Sequence, residues 1–375
     1  MPERSFRFFP EIESLRGIAS LLVMLLHVQG WVSLGASLHG YGWPLGAFVL
    51  SGHTGVSLFF VVSGFLLTKP FLVEAAGGPP VDLWLYARRR VLRVMPLYAV
   101  IVILAAVLLA HQSSDLLRAL PYLAFLQAAP QLVVPLDPFS TVWWSLSTEV
   151  QFYLLLPLVV LTARHYGRVG GAAFLLIGVL VYCSFVLHLW GGSDTATYLA
   201  LAHSAIGRAP LFAFGAAAAA LDLYWQAAER PARQSRWLIW DADLLVAGNL
   251  VALAILLRWV ATKGYWQAEA RFPGWHVIEG ALWTTLLVSL LWLPSHLKKV
   301  FCNRLWNTFG VVSFSMYLWH NPLLVYGMGY AGVGGGGGTT CGPVYGVVAI
   351  GLCLALSTLS YRIVERPFLR HRFGR

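Results

Sequence analysis

The sequence predicts an all-α fold, a polytopic transmembrane helical bundle of about ten spanning helices with one short re-entrant or interfacial segment. Three observations predict it. Of 375 residues, 58% are hydrophobic and 11% are charged, where a soluble globular chain carries about a quarter charged residues. Apolar runs of about 20 residues, the length a bilayer core requires, recur from end to end. The cations stand in short segments between those runs and alternate between dense and sparse. Topology thus accounts for the formal charge of +10, and nucleic acid is not expected as a partner.

The ten runs are 15–34, 54–70, 94–111, 143–162, 171–190, 203–224, 243–262, 275–294, 309–328 and 343–363. The stretch 119–134 is apolar but short, and it holds Pro121 and Pro130. Lipid offers no water to satisfy broken backbone, so this stretch is read as re-entrant or interfacial. With the N-terminus in the cytoplasm, inner segments hold 21 lysines and arginines, and outer segments hold three, Arg118, Lys263 and Arg271. That asymmetry predicts a cell-membrane protein with both termini cytoplasmic. No cleavable signal pattern precedes the first run, which is expected to remain as a signal anchor. The whole chain, 1–375, reads as a single transmembrane domain with no soluble domain, and Gly332 to Gly342 as a flexible outer loop. No internal repeat of the transporter kind is visible. Cys183, Cys302, Cys341 and Cys353 show neither metal-ligand nor disulfide-framework spacing. They are read as idle thiols, and no metal is expected.

The first run is the one around which the chemistry is arranged. Arg16 and His27 are eleven residues apart, roughly 16 Å along a helix or half a bilayer core. With Arg16 at one membrane face, His27 lies near the midplane, where an ionisable group is costly to keep and reads as functional. In the second run, Ser57, Ser63 and Gly64 are small enough for close helix packing. Next come Arg88, Arg89, Arg90 and Arg93 at the inner mouth of the third helix. Arg90 and Arg93, three apart, share a helix face. Two guanidiniums there form a phosphate clamp or anchor the helix on lipid headgroups; spacing leaves both readings open.

The fourth run opens with Trp143 and Trp144, which fit an interfacial belt. Glu149 lies about 9 Å deeper and needs a partner. The expectation is that it pairs with His27 and holds the imidazole in one tautomer; a structural bridge between helices is the plainer reading. His320 in the ninth run lies near the midplane, so it raises the case for a polar cavity or sits there with a satisfied hydrogen bond. Pro322 should interrupt the backbone ladder beside it. Arg208 either lines an acceptor entrance or snorkels to the interface. His53 and His276 lie at outer helix mouths, and Glu365-Arg366 reads as a local ion pair. Trp31, Tyr41, Trp43, Trp266 and Trp275 could stack on sugar faces or form an interfacial belt.

Taken together, LRGIASLLVMLLH, GVSLFFVVSGFLL, RRRVLRVMP, WSLSTEVQFYLLLP and SFSMYLWHNPL, followed by YRIVERPF, resemble the acyltransferase 3 family of integral membrane O-acyltransferases. The resemblance runs from about residue 9 to 370, with the motifs in the family's order. It implies transfer of an acyl group, often acetyl, from cytoplasmic acyl-CoA to a hydroxyl of a carbohydrate, a lipid-linked sugar or a macrolide-like acceptor. It also implies functional roles for Arg16, His27, Arg90, Arg93 and Glu149, and for Trp144, Ser147 and His320. Val150 stands where the family often has a second acid, so Glu149 is the acid to credit. No appended periplasmic hydrolase-like domain is present in the sequence, which therefore reads as a complete transferase or one needing a separate partner.

On this reading Arg90 and Arg93 bind the acyl-CoA phosphates, with Arg88 or Arg89 assisting. His27 is the general base on the acceptor hydroxyl, or carries the acyl group itself, and Glu149 orients it. Trp144, Ser147, His320 and Arg208 are the expected acceptor-side residues. The rival is a proton-coupled transporter or flippase, since midplane His and Glu also serve carriers. A non-enzymatic scaffold would leave the buried ionisable residues unexplained.

Overall fold

The computed structural model describes residues 9–31, 43–129, 132–190, 202–228, 236–264, 274–330 and 343–371. The expectations for Tyr41, Trp266, Cys341 and the glycine-rich loop lie outside these residues. Every regular element described is helical. Among the described residues, seven helices are long and apolar enough to cross a membrane, and the chain is a multi-pass membrane protein.

In order, the helices are α1 (Pro10–Trp31), α2 (Trp43–Leu50), α3 (Thr54–Ala75) and α4 (Leu83–Leu109). A continuous stretch, Trp144–Trp190, breaks at Gly167, whose φ of 69° is open to glycine. The break separates α5 (Trp144–Gly167) from α6 (Val169–His188). Then come α7 (Ala209–Ala227), α8 (Arg236–Lys263), α9 (Trp275–Trp292), α10 (Arg304–Val311), α11 (Ser313–Tyr330) and α12 (Pro343–Ser360). A π-helical turn, Tyr361–Glu365, continues α12 into Arg366–His371.

Several boundaries differ from the sequence reading. The stretch before the second run carries α2. The third run begins at Leu83, where Asp82 caps the helix by accepting from the Leu85 N–H at 3.0 Å. The four arginines therefore stand inside α4 rather than at its mouth. The ninth run is two helices, because Asn303 caps α10 and a break at Val312 precedes α11. The sixth helix starts only at Ala209, with Pro210 in its first turn, so Arg208 precedes it. The re-entrant candidate opens as short turns, Ala119–Leu123 and Leu126–Ala128, entered through the turn Ser113–Arg118. Asp115 folds that entering turn. The His111 and Gln112 N–H groups donate to its carboxylate at 2.9 and 3.2 Å, and the His111 bond foremost holds it below the usual carboxylate range.

The bundle closes around α1, which touches α2, α3, α9, α10, α11 and α12. Glycine permits its tightest crossings. A Cβ on Gly17 would run into the Trp306 carbonyl, and one on Gly310 into the Glu13 carbonyl. The same device joins α3 and α7, where Gly64 abuts the Phe212 carbonyl and Gly215 the Val61 carbonyl. The packing reading of Gly64 is thus met directly. By contrast α6 turns Leu175, Leu176 and Ile177 outward, each 58–60% exposed, as a lipid-facing helix should. The bundle therefore has a lipid-facing flank and a central helix that carries the suspected histidine.

Candidate active site

His27 sits four residues after Val23 on α1, and its Nδ1 lies 2.8 Å from the Val23 carbonyl. A carbonyl only accepts, so Nδ1 carries the proton. In the neutral ring Nε2 then holds a lone pair. The ring borders a cavity of about 370 Å³ that also reaches Ser57, Phe60, Trp144, Tyr317 and Arg208. Such a histidine is oriented to take a proton from a group in the cavity.

Its neighbour is His320, not Glu149. The two imidazole centroids are 4.8 Å apart at 68°. His320 is 1% exposed, its Nδ1 lies 2.8 Å from the Tyr317 carbonyl, and its buried Nε2 has no hydrogen-bond partner among the described residues. Tyr317 is fixed in turn, donating to the Val142 carbonyl at 2.6 Å and meeting Ser145 Oγ at 2.7 Å.

The expected His27–Glu149 pair does not form. The Ser63 hydroxyl donates to the Glu149 carboxylate at 2.5 Å, and Tyr153 is its further partner. The face of α5 that bears Glu149 is turned toward α3 and α4, whereas His27 faces α11. Ser63 is therefore more than a packing residue.

At the arginine-rich end of the bundle two of the cations, Arg16 and Arg93, are matched by acids. Arg16 donates to Glu13 at 3.0 Å and to Ser313 Oγ at 3.0 Å. Arg93 pairs with Glu365 at 3.4 Å, and the Ser315 hydroxyl donates to the same carboxylate. Glu365 is thus a long-range partner of α4 and not the local ion pair its sequence suggests. Arg90 lies 5.9 Å from the ring centroids of both Tyr86 and Tyr153, a cation–π seat with its Nε buried and without a hydrogen bond among the described residues. Arg89 is half-buried and Arg88 exposed. The structure brings Arg16 and Arg93 close enough to repel, with Glu365 and Glu13 offsetting that repulsion.

The motif at the start of α5 directs its polar side chains to two other segments of the chain. Ser147 donates to the Phe125 carbonyl at 2.6 Å, at a residue with φ of 55°. Thr148 donates to the His203 carbonyl at 2.6 Å, and Gln151 accepts from the Ala205 N–H at 2.8 Å. The tryptophans are not an interfacial belt. Trp143 is fully buried against Tyr98 and Tyr122, and Trp144 stacks on His203 at 3.9 Å and 12°. Trp275 is also buried, beside His53 and His276, and offers no face to a sugar.

At the opposite end Arg208 lies 5.5 Å over Trp144 and is 2% exposed. Its Nη1 donates to His276 Nε2. His276 Nδ1 lies 2.9 Å from Glu279, which also accepts from Thr54 at 2.6 Å. Sequence reasoning passed over Glu279 and His203 as site residues. The former was legible, since His276 and Glu279 stand three apart on one face of an apolar helix. Away from the helices, burial pushes the Cys302 thiol up to about 11, with Glu11 adding to it. Among the described residues, no three His, Cys, Asp or Glu side chains gather as a metal site would require.

The geometry is that of a helical membrane bundle with a histidine at a cavity between an arginine-rich end and an aromatic, cationic far end. The acyltransferase 3 family model, described as an acyltransferase domain, matches residues 9–362, and the chain belongs to that family. It is similar to the O-acetyltransferase OatA of Staphylococcus aureus strain NCTC 8325 / PS 47, at 24% identity over 385 residues covering 98% of this chain and 58% of the relative. The same figures hold for OatA of strains COL and MRSA252. The chain thus spans 58% of the length of these curated relatives. No solved structure matches.

Proposed function

We propose that this chain is a membrane O-acyltransferase that moves an acyl group, acetyl first among them, from acyl-CoA to a hydroxyl of a carbohydrate or lipid-linked sugar. The observation that carries the reading is the tautomer of His27. Its Nδ1–H is committed to the Val23 carbonyl, and its ring borders the cavity. Nε2 removes the hydroxyl proton as the oxygen attacks the thioester carbonyl. The new C–O bond forms, the C–S bond breaks, and the thiolate of CoA leaves and takes up a proton.

Acyl-CoA enters at the arginine-rich end, taken as cytoplasmic together with both termini in a single domain of ten spans. Arg90 contacts its phosphates, assisted by Arg89, while Arg16 and Arg93 add charge from their acid-matched seats. Trp144 and Arg208 line the acceptor end. Glu149 is a positioning residue: it accepts from Ser63 and ties α5 to α3 rather than orienting the imidazole. Ser147 likewise acts by holding the Phe125 turn.

Purified full-length protein given radiolabelled acetyl-CoA and sugar acceptors tests this. Label should pass to an acceptor, and His27→Ala should lower the rate by about 10²-fold or more while the protein stays folded in the membrane. Full activity in that variant rules out the imidazole as the base.

A further inference from the structure

The cavity beside His27 has walls of two kinds. Thr141, Trp144 and Tyr317 supply hydroxyls and an indole to one. The other is aliphatic. Leu26, Leu50 and Ala261 line it and are each half-buried, while Val23, Val56 and Val260 complete it and are buried.

Three helices converge to make the aliphatic wall. Leu26 directly precedes His27 on α1. A Cβ on Gly52 would lie 2.1 Å from the Leu22 carbonyl oxygen and 2.8 Å from Leu26 Cβ, so the link from α2 to α3 presses on α1 at that turn. The same link reaches α8, where the Ser51 hydroxyl donates to the Leu257 carbonyl at 2.8 Å. Ala261 stands one turn beyond Leu257 on the same face of α8, and Leu50 directly precedes Ser51.

Protein interiors are close-packed, and an aliphatic side chain that faces a void forfeits dispersion contacts. A sugar is a poor filler for this wall, because its hydroxyls would lose water against groups that neither donate nor accept. The acyl chain of the donor is a good one. Acyl-CoA drawn in from the arginine-rich end leads with that chain. Leu26 lies ten residues beyond Arg16 on α1, about 15 Å further along the helix, and so stands where the leading end arrives. Acetyl ends in a single methyl and covers little of the wall. Alanine at 261, the smallest of the three half-buried side chains, leaves room for more methylenes.

We infer that Leu26, Leu50 and Ala261 form an acyl-chain subsite, that it takes straight chains beyond acetyl up to butyryl, and that the small side chain at 261 sets that length. The inference rests on the acyl-transfer reading and deepens it from the donor side.

The test gives the purified full chain acetyl-, propionyl- or butyryl-CoA with methyl β-D-glucoside as acceptor. Release of the CoA thiol gives kcat/KM for each donor, and the thermal unfolding midpoint is read with each donor alone. Butyryl-CoA should equal or exceed acetyl-CoA in kcat/KM. One methylene in an apolar pocket changes such a ratio by about tenfold or more. Ala261→Leu fills the room and should lower the butyryl-to-acetyl ratio by at least that factor. A lower kcat/KM for butyryl-CoA than for acetyl-CoA in the unaltered protein overturns the inference, whether or not A261L folds, and leaves acetyl transfer itself standing. A ratio that folded A261L leaves unchanged overturns it too. If no donor is turned over, the acyl-transfer reading fails on this acceptor and the midpoint decides the subsite. Greater stabilisation by butyryl-CoA than by acetyl-CoA supports it, and equal or absent stabilisation overturns it.

Discussion

The two imidazoles give the sharpest statement that single residues allow. Each commits its Nδ1 to a backbone carbonyl, at 2.8 Å in both, so each neutral ring has its lone pair on Nε2. His320 packs edge-on against His27, 4.8 Å between the ring centroids, and so helps fix where that imidazole stands. His320→Gln keeps polarity but removes the ring from that contact. We expect kcat to fall about tenfold or more, with KM for the acceptor nearly unchanged and the unfolding midpoint preserved; a change in KM alone would mean that His320 only shapes the cavity. The arginines separate in the same way. Removing Arg93 strands Glu365, which is 2% exposed, and an uncompensated buried charge costs about 3–5 kcal/mol. Arg93→Ala should therefore lose stability, Arg93→Ala with Glu365→Gln should regain most of it, and neither should recover acyl-CoA affinity. Arg90→Ala leaves no carboxylate stranded on a direct ion pair and should chiefly raise KM for acyl-CoA.

Helix crossings set where those residues stand. The α1–α10 contact puts Gly17 against backbone of Trp306 and Gly310 against backbone of Glu13, and backbone cannot rotate away as a side-chain tip can. Gly17→Ala should separate the two helices, lower the unfolding midpoint by several degrees and, through α1, reduce transfer by shifting His27. Gly248 on α8 is a control, since a Cβ there meets nothing within 4 Å, and Gly248→Ala should leave the midpoint unchanged or raised. Thermal unfolding of both variants in one detergent checks the contrast, and equal midpoints would remove the packing account. The opening of α5 works at this scale too. Ser147, Thr148 and Gln151 tie two separate segments, at Phe125 and at His203–Ala205, to the start of one helix, so the motif is a junction as much as a binding face.

For the molecule as a whole, the helical bundle was readable because lipid demands long apolar runs and satisfied backbone, and both leave plain marks in the sequence. The polar residues His27, Glu149, Arg93 and His320 were readable because each is costly where it stands. Their partners were not. Ser63 and Glu149 are 86 residues apart, and Arg93 and Glu365 are 272 apart, so which helix faces which is a property of packing that no local period encodes. The His27–Glu149 pairing failed for that reason: equal depth along two helices does not set the direction in which either side chain points. Orientation follows from charge alone and can be tested apart from the chemistry. If the arginine-rich end is cytoplasmic, the turn between α3 and α4 faces inward and the end of α8 faces outward. Ala76 and Lys263 are both exposed and serve as reporters in a variant whose four cysteines are replaced, which also removes the slow Cys302 thiol. In intact cells an impermeant maleimide should label Lys263→Cys and spare Ala76→Cys until the membrane is opened. The reverse pattern would put Arg90 and Arg93 on the outer face, where cytoplasmic acyl-CoA cannot reach them, and the donor assignment would fall even with the imidazole chemistry intact.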